Sequence, residues 1–316
     1  MCVTSSPDSV LERRFLPGQR FGVSSQYLTG KLRKELLAIC LPIRPTAAIQ
    51  RVDWRKGTQN LNLSESYDGI AAEMWDFMGG DTPGADFEFY ARKINERPGR
   101  ALDLTCGSGK HLLRYLKMGL DVEGVDASEL MLAACRRKAE QQGLSPVLYQ
   151  QSMQRLDLPH RYLTIFVSAG SFQLLGDRHD ALETLRRCYE HLEDGGQLLI
   201  ETFLPDEAFD DKATRGVTVW GPTTRPRDGA EVTTHLWTES ADRYEQVKVE
   251  KRRYEAAVDG QNIESELHTM TLRWYHKYEM IMMLEQTGFR DIFIHGDYMD
   301  AAATAASSET VYSAIR

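Results

Sequence analysis

From residue 61 onward the sequence predicts a doubly wound α/β fold, because short apolar strand-like runs alternate there with segments of helical period. A glycine-rich junction, "ALDLTCGSGKH" at 101–111, opens a strand–turn–helix unit, while the β-prone runs of 214–273 have no helix between them. Alternation of the first kind implies βαβ units, right-handed crossovers and a parallel sheet covered on both faces. The second pattern implies an antiparallel β insertion before the last helix and hairpin.

In chain order, "RALDL" (100–104) reads as a short strand, and "KHLLRYLKMG" as a helix whose Leu112, Leu113 and Leu116 share a face. "LDVEGVDAS" is the next strand. Ser128 then caps "ELMLAACRRKAEQQG", which stops at Gly143. "YLTIFVS" (162–168) is a buried strand, "HDALETLRRCYEHLEDGG" a helix with Leu182, Leu185, Tyr189 and Leu192 inward, and "QLLIETFLP" a further strand. The insertion contains "GVTVW", "AEVTTHLWTES", "YEQVKVEKRRYEAAV" and "SELHTMTLRWY", separated by "RPRDG" and "VDGQN" turns. "KYEMIMMLEQTG" resumes as a helix with Met280, Met282 and Met283 as core packing, followed by strands "FRDIFIHGDY" and "TVYSAI".

With 316 residues, 42% of them hydrophobic and 27% charged, the chain has ordinary globular usage, so disordered, collagen-like and coiled-coil classes are excluded. Its best apolar run, "ELLAICLPI", is far short of the ~20 residues of a membrane span. Net charge is −8, yet residues 1–60 hold ten Lys/Arg against four Asp/Glu, which leaves −14 on the rest. An acidic body lacks the basic stripe that nucleic acid requires. Five cysteines, an odd number with no CxxC pair, point to a reducing compartment and away from a metal or disulfide framework. The expected division is a basic N-terminal extension (1–60), an α/β domain holding the glycine-rich junction (61–213), the β insertion (214–273) and a C-terminal helix with strands that complete the sheet (274–316). A cytoplasmic location is expected, or an organellar one if 1–60 is a presequence. The extension is expected to be dispensable for catalysis.

Glycines at the 101–111 junction let a ligand approach the backbone closely. The third small residue of a dinucleotide fingerprint is replaced by Leu112, and His111 follows Lys110 where a phosphate loop needs Ser or Thr, so neither pyrophosphate nor ATP is favoured. Asp126, at the end of the second strand, suits the hydroxyls of a ribose. Asp103 would repel a phosphate but suits a ligand with a cationic amine and a sulfonium. The bland alternatives are a tight turn for Gly107 and Gly109, a helix-entry role for Asp126, and plain packing for Cys106.

With these features the sequence resembles the class I S-adenosylmethionine-dependent methyltransferases, in particular the small-molecule N-methyltransferases. "DLTCGSG" matches their glycine-rich first motif and "VEGVDAS" their ribose-binding strand end; "SAGSFQLL" and "LEQTGFRDI" extend the likeness. The resemblance implies a seven-stranded Rossmann-like sheet with its last strand antiparallel and S-adenosylmethionine as cofactor, leaving S-adenosylhomocysteine. It puts Asp103, Thr105, Cys106, Gly107 and Gly109 around the methionine part and Asp126 on the ribose. Ala127 and Met131 would flank the adenine, with Ser152 and Met153 at its edge, where Ser152 stands in place of the family's acid. Ser168 and Ala169 would line the methionine amine, and Tyr67 and Tyr90 would close over the cofactor or pack in the core.

Methyl transfer from a sulfonium needs the nucleophile, carbon and sulfur held collinear in a dry cavity, with a base only for an acceptor that must lose a proton. His235, His268 and His276 are the base candidates, with Tyr275, Arg273 and Gln173 as orienting groups; ordinary strand, surface or helix-start roles are the alternatives. Ser168-Ala169-Gly170-Ser171 replaces the Asn/Asp-Pro-Pro-aromatic turn used on base amino groups, and no acidic metal triplet is evident. The expectation is methyl transfer to an N or O atom of a small-molecule acceptor roofed by the insertion, without nucleic acid or membrane, and with a homodimer as the assembly allowed for. A catalytically silent nucleoside-binding or scaffolding module is the competing class, since fold does not establish turnover. Aminopropyl transfer is a third, disfavoured because the acidic first motif of those enzymes is missing.

Overall fold

The structure, a computed structural model, describes residues 61–64, 69–77, 84–210 and 216–316. The expectations for residues 1–60 and for Tyr67 lie outside the described residues. In chain order the elements begin with strand β1 (Leu61–Ser64), helix α1 (Gly69–Phe77) and helix α2 (Ala85–Glu96). Strand β2 (Ala101–Leu104), helix α3 (Leu112–Lys117), strand β3 (Val122–Asp126), helix α4 (Glu129–Gln141) and strand β4 (Leu148–Gln150) follow. Next come strand β5 (Tyr162–Val167), helix α5 (Arg178–His191) and strand β6 (Leu192–Thr202). Strands β7 (Val217–Thr224), β8 (Glu231–Asp242), β9 (Val247–Val258) and β10 (Gln261–Arg273) form the insertion. Helix α6 (Lys277–Gln286) and strands β11 (Arg290–Gly296) and β12 (Thr310–Ile315) end the chain.

Seven strands make one sheet in the order β11-β12-β6-β5-β2-β3-β4. The pairs β5–β6, β2–β5, β2–β3 and β3–β4 are parallel, and β12 runs antiparallel to both β6 and β11. This is the doubly wound sheet expected from the alternating pattern. Successive side chains of a strand point to opposite faces. Accordingly Leu198 and Ile200 of β6 pack in one core with Leu185, Met280, Met283 and Leu284, whereas Leu199 lies in the other core with Phe89, Ile94 and Phe166. Each large apolar side chain so buried is worth ~1.5–3 kcal/mol before entropy is counted.

Local differences from the sequence reading have physical causes. The helix expected to run to Gly196 stops at His191; Leu192 pairs with Tyr162 in the sheet, and Gly195 adopts φ +76°, which no α-helix accommodates. On α3, Tyr115 is fully buried and Leu116 only half-buried, because the ring stacks on Phe87 of α2 at 4.8 Å. Met280 and Met283 are core residues as expected, but Met282 is 60% exposed, pointing from the outer face of α6. The three-residue β4 was not anticipated, being too short to carry a periodic signal. Ser128 does cap α4, its Oγ accepting from the Met131 N–H at 3.3 Å.

The insertion is antiparallel as expected, but its sheet has five strands, in the order β1-β10-β9-β8-β7. Strand β1 and helix α1 therefore go with the insertion rather than with the seven-stranded sheet: β1 pairs parallel with β10, and α1 docks on the same sheet. The Glu266 carboxylate of β10 accepts from the Ile70 and Ala71 N–H groups at 2.7 and 3.4 Å, so a side chain remote in sequence satisfies the start of α1. Ile70, Ala71 and Met74 then pack on Ala230, Val232, Tyr254 and Ala256. Among the described residues no helix is long and apolar enough to cross a membrane.

Candidate functional site

A cavity of about 950 Å³ opens where the strand ends of the seven-stranded sheet meet the insertion. In open α/β sheets the crevice beyond the carboxyl ends of the strands is where ligands bind. The segment after β2 shapes its floor. Thr105 takes φ +93°, unusual for a β-branched residue, because its N–H and that of Cys106 both turn back onto the Val125 carbonyl at 2.8 Å. The two glycines do different work. Gly107, at φ +55°, has open space where a Cβ would stand and donates its N–H to Asp126 Oδ2 at 2.8 Å. Gly109, at φ +82°, would carry a Cβ 2.5 Å from Cys135 Sγ, so it serves helix packing and does not line the cavity.

Asp103 and Asp126 both face this cavity, from the ends of adjacent strands. Asp126 is oriented by its neighbours, accepting from the Gly107 and Ser128 N–H groups, each at 2.8 Å. Burial raises its pKa, with those backbone N–H groups opposing. Asp103 is 2% exposed, and its Oδ1 has no hydrogen-bond partner, as is also true of the buried Oγ1 of Thr105 two residues on. Burial pushes the Asp103 carboxyl up to about 7; charge on His111 works against this and charge on Asp126 adds to it. A buried carboxylate without a partner is costly. A cationic, hydrogen-donating ligand would remove that cost, so the residues present fit the ammonium-bearing nucleoside that the resemblance implies.

Cys106, Ala127, Met131, Ser152, Met153, Ser168 and Ala169 also line the cavity, so eleven of the expected cofactor residues share one space. Ala169 (φ +54°) and Gly170 (φ +65°) turn the chain sharply after β5, and a Cβ on Gly170 would meet the Phe203 ring at 2.7 Å. Cys106 has a thiol pushed well up by burial, then by the charges of Asp103 and Asp126, consistent with packing. Tyr90 is not at the cavity: it is fully buried, stacked on Phe166 at 5.1 Å, with its hydroxyl 3.1 Å from Glu201 Oε2. The apolar ring-covered face of the sheet claims it.

None of the expected catalytic or orienting groups lines the cavity. Gln173 is buried and spent on the backbone, its Nε2 donating to the Phe203 and Arg273 carbonyls at 3.0 and 3.3 Å while its Oε1 accepts from Phe203 N–H at 2.9 Å. Tyr275 belongs to the core, tilted against Phe172 at 5.3 Å. His276 is exposed at the start of α6, and His235 of β8 pairs with Glu255 of β9 at 3.1 Å. His268 is buried within β10, and Arg273 ends that strand half-buried.

The sequence reading missed other groups. His111 lies against the cavity with its Nε2 3.0 Å from Asp86 Oδ2; burial raises the Asp86 pKa, but the hydrogen bond and charge of His111 outweigh it and the net shift is downward. Lys110 and Trp75 stand at the same opening. Across from the floor, Lys248, Glu250 and Arg252 of β9 and Met270 and Leu272 of β10 form the roof. The i, i+2, i+4 spacing on β9 was the available signal, but sequence gives no means of telling which face of that strand meets the floor.

The fold is a doubly wound α/β architecture in which two carboxylates on adjacent strand ends face one cavity. Residues 101–196 match the family model described as a methyltransferase domain. By sequence it is similar to a Geobacillus sp. (strain WCH70) protein named as a methyltransferase, 35% identical over 115 residues, covering 35% of this chain and 47% of the relative. The chain spans about half to three-fifths of the first curated relatives it matches, 47% and 62% of their lengths. Among solved structures it resembles an S-adenosylmethionine-dependent methyltransferase from Clostridium acetobutylicum ATCC 824, with TM-score 0.63, 16% identity and coverage of 77% of this chain and 96% of that one. A sugar N-methyltransferase from Streptoalloteichus sp. ATCC 53650 matches with TM-score 0.60 and 18% identity, over 82% and 99% of the two chains. At those identities the structural likeness speaks for the fold.

Proposed function

We propose that the protein is an S-adenosylmethionine-dependent methyltransferase acting on a nitrogen atom of a small-molecule acceptor. The observation that carries this reading is the buried, partnerless Asp103 Oδ1 in a cavity shared with Thr105 and Asp126. Asp103 would accept the cofactor's ammonium, Asp126 its ribose hydroxyls, and Met131 and Met153 would flank the adenine. Lys110 offers positive charge, and His111, fixed by Asp86, a ring nitrogen, for the cofactor's carboxylate. When bound, the cofactor supplies an electrophilic methyl group on a cationic sulfur.

What the chain itself must do is align the acceptor and exclude water, since the reaction disperses charge rather than creating it. The walls formed by Leu174, Leu175, Phe203, Met270 and Leu272 suit that role. A neutral amine needs no base before it attacks and sheds a proton afterwards, whereas an alcohol needs one at the nucleophile. The sugar N-methyltransferase neighbour is in keeping with an amine acceptor.

Titration with S-adenosylmethionine tests the binding half of the reading. Saturable one-to-one binding is expected, weakened by Asp126→Ala about tenfold or more, as loss of charged hydrogen bonds implies. S-adenosylhomocysteine release across a metabolite panel tests turnover. Failure to bind the cofactor overturns the reading.

A further inference from the structure

At the carboxyl end of the seven-stranded sheet four neighbouring strands finish in the order Glu201 on β6, Ser168 after β5, Asp103 on β2 and Asp126 on β3. Strand β5 pairs with β6 through Val167 and Ile200, which brings Ser168 beside Glu201, and with β2 through Phe166 and Asp103. Ser168, Asp103 and Asp126 line the cavity. Glu201 does not; it is 5% exposed and lies behind the lining. Its carboxylate gathers donors from three elements remote in sequence. The Tyr90 hydroxyl of α2 donates to Oε2 at 3.1 Å, and the Tyr298 hydroxyl, from the connection between β11 and β12, and the Ala169 N–H hydrogen-bond the same carboxylate. Burial raises the Glu201 pKa, and these three donors oppose the rise, Ala169 foremost.

Two phenols do not require a buried carboxylate, which costs far more to desolvate than a neutral acceptor. The backbone donor supplies the reason. Ala169 takes φ +54°, a left-handed conformation that a residue with a Cβ keeps only when its surroundings impose it. A trans peptide directs its N–H and its C=O to opposite sides. Turning the Ala169 N–H toward Glu201 on β6 therefore turns the Ser168 carbonyl away from β6, to the side of β2 and Asp103. That carbonyl accepts from the Ser171 N–H at 3.1 Å and has a second lone pair for a further donor.

Resting on the function proposed above, we infer that Glu201 is a positioning residue for the amino-acid end of the cofactor: by holding the Ala169 N–H it aims the Ser168 carbonyl at the ammonium that Asp103 would accept. Tyr90 and Tyr298 keep Glu201 itself in place. Asp126 lies three strands from Glu201, about 14 Å at the usual strand spacing, so the ribose and adenine contacts do not depend on Glu201.

The test compares S-adenosylhomocysteine with methylthioadenosine, which keeps the adenine, ribose and sulfur but has no amino acid, each titrated to saturation against the full chain. Glu201→Leu leaves the Ala169 N–H without its acceptor. It should weaken S-adenosylhomocysteine binding about tenfold, the scale of one lost hydrogen bond to a charged group, while methylthioadenosine binds as it does to the unaltered protein. Because the Leu variant strands buried donors, Glu201→Gln accompanies it, both being checked by thermal melt. Gln keeps one acceptor oxygen for three donors, so it should show the same selectivity at a smaller size, about threefold. Equal weakening of both ligands makes Glu201 a structural residue and overturns the inference. Unchanged affinity for both in the Leu variant, or in the Gln variant where the Leu variant does not fold, overturns it as well. These results spare the methyltransferase reading, which falls only if the unaltered protein does not bind S-adenosylhomocysteine.

Discussion

The protonation of Asp103 should set the affinity for S-adenosylmethionine near neutral pH. Its carboxyl is pushed up to about 7 mainly by burial, so in the free protein it is largely protonated at pH 6. An ammonium prefers the ionised form, so binding must expel that proton. If only the ionised form binds, its fraction rises from about 0.03 at pH 5.5 to about 0.76 at pH 7.5, and affinity rises about 25-fold, or about 1.9 kcal/mol. The window stops there because an α-amino group itself begins to titrate at about 7.7–8.0. The sign for stability is opposite. A raised carboxyl pKa stabilises the free fold at low pH, and this contribution is lost as pH rises through about 7; bound cofactor should offset the loss. Calorimetric titrations at several pH values, in buffers of different ionisation enthalpy, read both the affinity and the proton released. Asp103→Asn should bind weakly with a flat profile. A pH-independent dissociation constant in the unaltered protein, or the same slope in the Asn variant, would refute the reasoning.

The remaining predictions concern the loop, a half-buried acid cluster and a clamp. Gly109→Ala, with a Cβ 2.5 Å from Cys135 Sγ at φ +82°, should lose about 2–4 kcal/mol in chemical denaturation. Gly107→Ala meets no atom within 4 Å and should lose only about 1–2 kcal/mol, yet cofactor affinity should fall about tenfold, because the methyl group enters ligand space. Glu309 is raised to about 7 by burial, then by the charges of Glu201 and Asp297, so its contribution to stability is present at low pH and lost as pH rises through about 7. Glu309→Gln should leave the melting temperature unchanged near pH 4 and raise it by roughly a degree or two at pH 8, a small effect for a half-exposed group. Gln173→Ala should cost about 2–3 kcal/mol of stability, with cofactor affinity retained in the folded fraction; a selective loss of turnover with no loss of stability would make Gln173 a substrate contact.

Local signals made the sheet legible. The apolar strand runs and helical periods around 101–200 are set by neighbours in the chain, and Asp103 and Asp126 sit one strand apart, so their convergence follows from parallel pairing alone. Other features depend on partners far away in sequence. Strand β1 joins β10 across some 200 residues, and Glu266 caps α1 over a similar separation, which no local pattern announces. Gln173 and Tyr90 have the chemistry of site residues but are consumed by backbone carbonyls and by Glu201. The Lys248–Glu250–Arg252 row was visible as alternating charge, the usual mark of a solvated strand face, and only the docking of the two sheets over one cavity makes it a roof.

A crystal structure with S-adenosylhomocysteine bound bears most directly on the account. The ammonium should lie within hydrogen-bond distance of Asp103 Oδ1 and the ribose hydroxyls against Asp126. A ligand seated elsewhere, or one that leaves Asp103 Oδ1 without a partner, would contradict it.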